Sequence, residues 1–112
     1  MLGRAHRLRR RADFRDVVRH GRRAGNRLAV VHVAAQAGDD ATWQAGLVVS
    51  KAVGNSVVRH RVARRLRAVM AAEMPKLGDP KRVVVRALRP TASAAYGDLE
   101  RAVGRSLREA TR

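Results

Sequence analysis

Lys51-Ala-Val-Gly-Asn-Ser-Val-Val-Arg-His-Arg-Val-Ala-Arg-Arg-Leu-Arg67 is the stretch on which the fold turns. A Gly-Asn pair opens it, and an arginine-rich run follows. Placed at about 100° per residue, Val58, Val62, Leu66, Val69 and Met70 fall on one stripe. His60, Arg61, Arg64 and Arg67 fall on the opposite side, with Arg59 and Arg65 at the edges of the stripe. This pattern predicts an amphipathic helix, capped by Asn55 or Ser56 and running to about Met74. A solvated helix face ordinarily mixes signs in i,i+4 pairs. Here no acidic residue occurs from Ala41 to Ala72. Guanidinium groups crowded in this way repel one another unless an anion lies against them, so a phosphate backbone is the first candidate partner.

The flanking segments supply the rest of an α/β chain. Leu28 to Ala35 is a β-branched run and reads as a strand. Trp43 to Ser50 reads as a second strand, Gly38-Asp39-Asp40 as the turn between them, and a hairpin is the simplest pairing. Ala12 to His20 reads as a short helix capped by Asp13, with Phe14, Val17 and Val18 on one face and Gly21 at its end. Residues 1–11 form a basic arm, free to be flexible. Downstream, Pro75 to Pro80 is a linker. Arg82 to Leu88 is a strand whose unbroken valine centre suits cover on both faces. Pro90 interrupts, and Ala92 to Ala110 forms a last helix with Leu99, Val103 and Leu107 on one face. The passage from about 45 to 88 requires a crossover connection, which the general rule makes right-handed.

At 112 residues the chain fits one domain. Apolar residues make up 46%, enough to fold, but aromatics make up only 3%, namely Phe14, Trp43 and Tyr96. The core must therefore be valine, leucine and alanine. The formal net charge is +16 and the pI about 12.0, which points first to nucleic acid and second to an anionic membrane surface. Lysine contributes only Lys51, Lys76 and Lys81. Arginine suits bidentate phosphate contact. A GC-rich codon bias accounts for much of the preference over lysine but not for the net charge. The absence of cysteine excludes disulfides and thiolate metal sites. No apolar run approaches spanning length, and the basic N-terminus lacks the apolar stretch of a signal peptide. A cytoplasmic protein without membrane contact is expected.

Catalytic groups are not in view. There is no Gly-x-Ser-x-Gly elbow and no Gly-x-x-x-x-Gly-Lys loop. The carboxylates are scattered rather than convergent, and His6, His20, His32 and His60 lack ligand spacing. Binding is the better reading. A DNA recognition helix would want a preceding partner helix; a strand precedes instead, which argues mildly for RNA. Phe14 and His32 could line a groove and stack on unpaired bases, although Phe14 alone fits a core position better.

Three blocks resemble the protein subunit of bacterial ribonuclease P, the ribonucleoprotein that removes the 5′ leader of precursor tRNA. They are Arg7-Leu-Arg-Arg-Arg-Ala-Asp-Phe-Arg-Asp-Val-Val-Arg-His-Gly21, the run from Gly46 through Arg67, and Val83-Val-Val-Arg-Ala-Leu-Arg-Pro90 with the helix after it. The middle block is highly specific. The resemblance implies an α/β sandwich shared with a ribosomal protein domain: a helix, a three-stranded antiparallel unit, the arginine-rich crossover helix, a fourth strand and a C-terminal helix. It makes the crossover left-handed, against the general rule. It implies that a large RNA with bound Mg²⁺ is the catalyst, that the protein alone is inactive and binds no metal tightly, and that no protein partner is obligatory. Lys51, Asn55, Arg59, His60, Arg61, Arg64, Arg65 and Arg67 would contact the catalytic RNA, and Phe14, Val18, His32 and Arg67 would line the leader groove. His60 stands where the family usually has Asn, Ala63 where lysine is usual, and His32 and Val18 where aromatics are frequent. The alternative function is a structural ribosomal-type RNA-binding protein with no role in tRNA processing. A basic DNA-binding or membrane-surface protein is a third reading.

Overall fold

In the computed structural model, which describes residues 2–36 and 42–112, the valine strands set the frame. Strands β1 (Arg22–Gly25), β2 (Ala29–Ala35), β3 (Gln44–Val48) and β4 (Lys81–Ala87) form one sheet in the order β1-β2-β4-β3. The β1–β2 and β2–β4 pairs are antiparallel, and β3–β4 is parallel. The expected hairpin between β2 and β3 is therefore not formed. β4 inserts between them, with Val31 paired to Val85 and Leu47 paired to Val85 from the other side. The hairpin is β1–β2 instead, and the antiparallel unit is β1, β2 and β4. Gly38-Asp39-Asp40 lies outside the described residues.

Period-two alternation sorts the strands between two faces. Val31, Val33, Val83, Val85 and Ala45 pack against helices α2 (Ser56–Glu73) and α3 (Tyr96–Ala110). Val84, Ala34 and Val48 pack on the other side against Leu8 and helix α1 (Arg11–His20), through Phe14 and Val17. The centre of β4 is covered on both faces, as its valine run predicts. On α2 the apolar stripe is buried as read, with Val62, Leu66, Val69 and Met70 fully enclosed and Val58 half-buried. Asn55 is its cap, its Oδ1 accepting from Val58 N–H at 3.0 Å. On α3, Leu99, Val103 and Leu107 are buried.

Three local expectations shift. Asp13 does not cap α1; that position is Arg10, with no side-chain cap bond. Residues 89–92 wind as a separate 3-10 turn, so α3 starts at Tyr96 rather than Ala92. The N-terminal arm is docked rather than loose. Leu2 and Leu8 are buried, Leu8 N–H donates to the Ala45 carbonyl at 3.0 Å, and Arg7 forms a parallel bridge with Ala45. The arm thereby covers the outer edge of β3.

Asn26 holds the β1–β2 turn to α3. Its Oδ1 accepts from Leu28 and Ala29 N–H at 3.0 and 3.2 Å. Its Nδ2 donates to the Ala102 carbonyl at 2.8 Å and to Ser106 Oγ, itself buried, at 2.9 Å. Removing the amide leaves several half-buried groups without partners, at about 2–3 kcal/mol. Asn26→Ala is expected to lower the unfolding free energy by that amount in urea denaturation. A loss within the surface-substitution range of about 0.5 kcal/mol would show that the turn does not depend on it.

Candidate nucleic-acid interface

Strand β3 lies between two recesses, one on each face of the sheet. The first, about 300 Å³, lies between α2 and β3 and is lined by Leu47, Val49, Ser56, Arg59, His60, Ala63 and Arg67. Arg59 and Arg67 are half-buried in it, and His60 is exposed at its rim. Arg59 Nε is buried without a hydrogen-bond partner. Ala63, where the resemblance leads one to expect lysine, leaves the wall apolar. Lys51 and Arg64 are exposed nearby on the loop and helix.

The arginines of α2 divide by direction. Arg61 Nη2 donates to the Ala92 carbonyl at 2.7 Å, and Arg65 Nη1 to the Ala94 carbonyl at 3.2 Å. These two turn inward and tie α2 to the segment before α3. Arg59, Arg64 and Arg67 do not. Among the described residues no ion pair involves an α2 arginine; the acid that ends the helix, Glu73, pairs with Lys76 at 3.6 Å. The charge of the outward set is thus uncompensated among the described residues.

The second recess, about 660 Å³, lies between α1 and the sheet. Phe14, Val18, Val48 and Val84 give it an apolar lining, and Arg15, Arg19 and Arg86 give it a cationic one. The Phe14 ring lies directly on Gly46, where a Cβ would overlap the ring atoms. Glycine is therefore required there by close approach, the usual meaning of glycine inside a strand. Val18 is 40% exposed. Asp16, the acid beside this recess, is occupied by Arg82 at 2.8 Å and His20 at 3.0 Å. Those two partners, Arg82 first, hold its carboxyl below the ordinary value, so it stays ionised and leaves the recess cationic.

His32 shares this sheet face, in register with Val84 on one side and Arg23 on the other. It is 9% exposed, and its Nδ1 is buried without a partner. Burial, then the charges of Arg23 and Arg86, hold its pKa below the ordinary value of 6.5. The imidazole is neutral at pH 7. An orphaned acceptor costs less than an orphaned N–H, which favours the tautomer with the proton on Nε2.

The structure thus brings Phe14 and Val18 into one groove, with His32 on the same sheet face. Arg67 lies across β3 in the other recess, and Arg61 and Arg65 turn away. Arg86, Val48 and Gly46 were missed by the sequence reading. The alternation Arg82, Val84, Arg86 in β4 carried the signal for Arg86. No group of three or more His, Asp or Glu side chains placed to hold a metal occurs among the described residues. No helix there is long and apolar enough to cross a membrane.

Comparison with known proteins places these features in a family. The ribonuclease P family model matches residues 2–111. A ribonuclease P protein component from Acidothermus cellulolyticus is 44% identical over 99 residues, covering 88% of this chain and 82% of its own. One from Corynebacterium urealyticum is 46% identical over 127 residues, covering all of both. The structure of the Staphylococcus aureus RNase P protein matches with a TM-score of 0.83 at 24% identity, over 94% of each chain. The Thermotoga maritima RNase P protein matches at 0.79 and 20% identity, over 92% of this chain and 96% of its own. With the match running through the arm, both recesses and all three helices, the chain belongs to the ribonuclease P protein component family.

Proposed function

We propose that the chain acts as the protein subunit of ribonuclease P in the cytoplasm. On this reading it binds the enzyme's RNA through the outward arginines of α2 and holds the 5′ leader of precursor tRNA in the groove between α1 and the sheet. The observation that carries the reading is the pairing of two surfaces across one strand. One is a helix face whose arginines have no acid partner among the described residues. The other is an aromatic-walled apolar groove with arginines along it. A polyanion satisfies the first, and an unpaired strand satisfies the second, bases against Phe14 and valines, phosphates against Arg15, Arg19 and Arg86. Phosphate contacts position without reading sequence, which suits a protein that must accept many leaders.

Cleavage is assigned to the RNA. Hydrolysis of a phosphodiester by protein side chains would want convergent carboxylates or a poised nucleophile and base. Arginine supplies the positive charge of both recesses, and arginine repels a divalent cation. Mg²⁺ therefore belongs with RNA phosphates in this scheme. The protein lies between two polyanions and lowers their mutual repulsion. The family match favours this role over that of a structural ribosomal protein.

Three measurements test the reading. Reconstitution with the RNA subunit of the same organism and a precursor tRNA at low Mg²⁺ should give leader removal with both components and none with protein alone. A chain that neither binds nor stimulates that RNA, and instead co-sediments with ribosomal subunits, overturns the proposal. Arg59→Ala should reduce the salt slope of RNA binding by about 0.7–0.9, the value of one phosphate contact. Arg61→Ala should leave the slope nearly unchanged and cost about 1–2 kcal/mol in stability through the freed Ala92 carbonyl; an exchange of these two outcomes would mean that Arg61 is the RNA ligand. Phe14→Ala, and Gly46→Ala by displacing the Phe14 ring, should weaken precursor tRNA binding more than mature tRNA binding. Equal losses on both substrates would make Phe14 a core residue only.

A further inference from the structure

The docked arm carries charge that neither recess uses. Arg4, Arg7, Arg9 and Arg10 surround a separate recess of about 340 Å³ beside Gln44 and Asp13. All four arginines are exposed. Asp13 is the sole acid lining the recess, and among the described residues no ion pair involves any of the four. Like charges at this density favour a loose, splayed segment. The structure shows the reverse. Leu2 and Leu8 are buried, the His6 and Trp43 rings stack at 3.8 Å and 19°, and His6 Nδ1 donates to the Trp43 carbonyl at 2.8 Å. Two guanidinium groups are braced on backbone carbonyls, Arg7 Nε on Leu2 at 3.1 Å and Arg9 Nη2 on Arg4 at 3.2 Å. Each such brace uses one of five N–H donors and leaves the rest outward. Ordering a basic segment costs conformational entropy, and ordering it in advance lowers the cost of binding an anion there.

This recess is distinct from the leader groove. Gln44, Gly46 and Val48 point to the same face of β3 by strand alternation. Gln44 borders the arm recess, Gly46 lies under the Phe14 ring, and Val48 borders the groove. Phe14 therefore stands between two cationic sites about 13 Å apart along the strand. The arm site also differs from the α2 recess, which is built on the other face of the sheet.

We infer that the docked arm is a preformed phosphate-binding platform for the backbone of the enzyme's RNA, independent of α2 and of the leader groove. The inference rests on the proposed function for the identity of the RNA. The test is the triple variant Arg4→Gln/Arg9→Gln/Arg10→Gln, which spares the Arg7 brace, with folding checked by circular dichroism. A control triple, Arg101→Gln/Arg105→Gln/Arg108→Gln, removes the same charge from α3. Binding to the RNA subunit alone is titrated against salt, and precursor and mature tRNA are then compared on the assembled complex. The expected result is a slope reduced by about 2–3 for the arm triple, little change for the control, and an unaltered preference for precursor tRNA. An unchanged slope overturns the inference, as do equal losses from both triples, which would reduce the effect to net charge. A loss confined to precursor preference overturns it too, by making the leader the ligand. Failure of the wild-type chain to bind the RNA at all would instead overturn the proposed function.

Discussion

The parallel pairing of β3 with β4 is the constraint on which the rest of the molecule depends. Parallel neighbours cannot be joined by a tight turn; the chain must cross back over a face of the sheet. Here α2 is that crossover. Its apolar stripe, Val62, Leu66, Val69 and Met70, is buried in the core beneath the sheet, so its arginines must go elsewhere. The same pairing makes β3 an edge strand. An exposed edge invites unwanted pairing, and the arm covers it through Arg7 and Leu8. One topological choice thus sets out the basic helix, the arm and the strand that separates the two recesses.

A chain with net charge +16 must hold its cations apart or satisfy them. Ion pairs do little of this. The described ones involve Asp16, Glu73 and Asp98, each on a short local or cross-face contact. Backbone carbonyls do more: Arg7, Arg9, Arg61 and Arg65 each donate to one. A carbonyl accepts a hydrogen bond without neutralising the charge. In the arm, the exposed Arg7 and Arg9 are fixed in direction yet remain electrostatically available, which is what a polyanion-binding surface requires. An RNA ligand that binds only the folded state would then add to stability by mass action.

Much of this was legible in the sequence, for physical reasons that also mark where legibility ends. The α2 and α3 stripes were readable because helical periodicity is local and strong over 15 or more residues. The β2–β3 hairpin was misjudged because adjacency in sequence does not reveal that a later strand will insert between two earlier ones. The resemblance implied a third strand in the antiparallel unit, but β1 was not located from its own residues because Arg22-Arg-Ala-Gly25 carries no alternation; it is a strand because β2 offers it a ladder and Asn26 fixes the turn. Arg61 was placed with the outward arginines because a helical wheel gives angles but not neighbours. The neighbour that claims it, the carbonyl of Ala92, lies 31 residues on. The arm was left free because its anchors, Trp43 and Ala45, are equally remote.

The departures that the resemblance implies fall where the proposed mechanism tolerates them. A groove that reads base edges would suffer from changes in its polar groups, because each buried donor or acceptor left unpaired carries a cost. The apolar lining of this groove is instead valine, alanine and a phenyl ring, with arginines and the paired Asp16 and His20 alongside. Replacing an aromatic by Val18 keeps the lining apolar and reduces only the stacking surface. His32 replaces another with a ring that is neutral at pH 7 and almost wholly buried, so it preserves volume more than it adds recognition. Ala63 removes a charge from a recess still flanked by Arg59 and Arg67. His60 is exposed at the rim, where a donor can still reach a phosphate but is not held to one geometry. A surface that works by charge and shape can lose individual contacts in this way and keep its ligand, whereas Gly46, which carries no polar group in its side chain, cannot change without moving the phenyl ring that walls the groove.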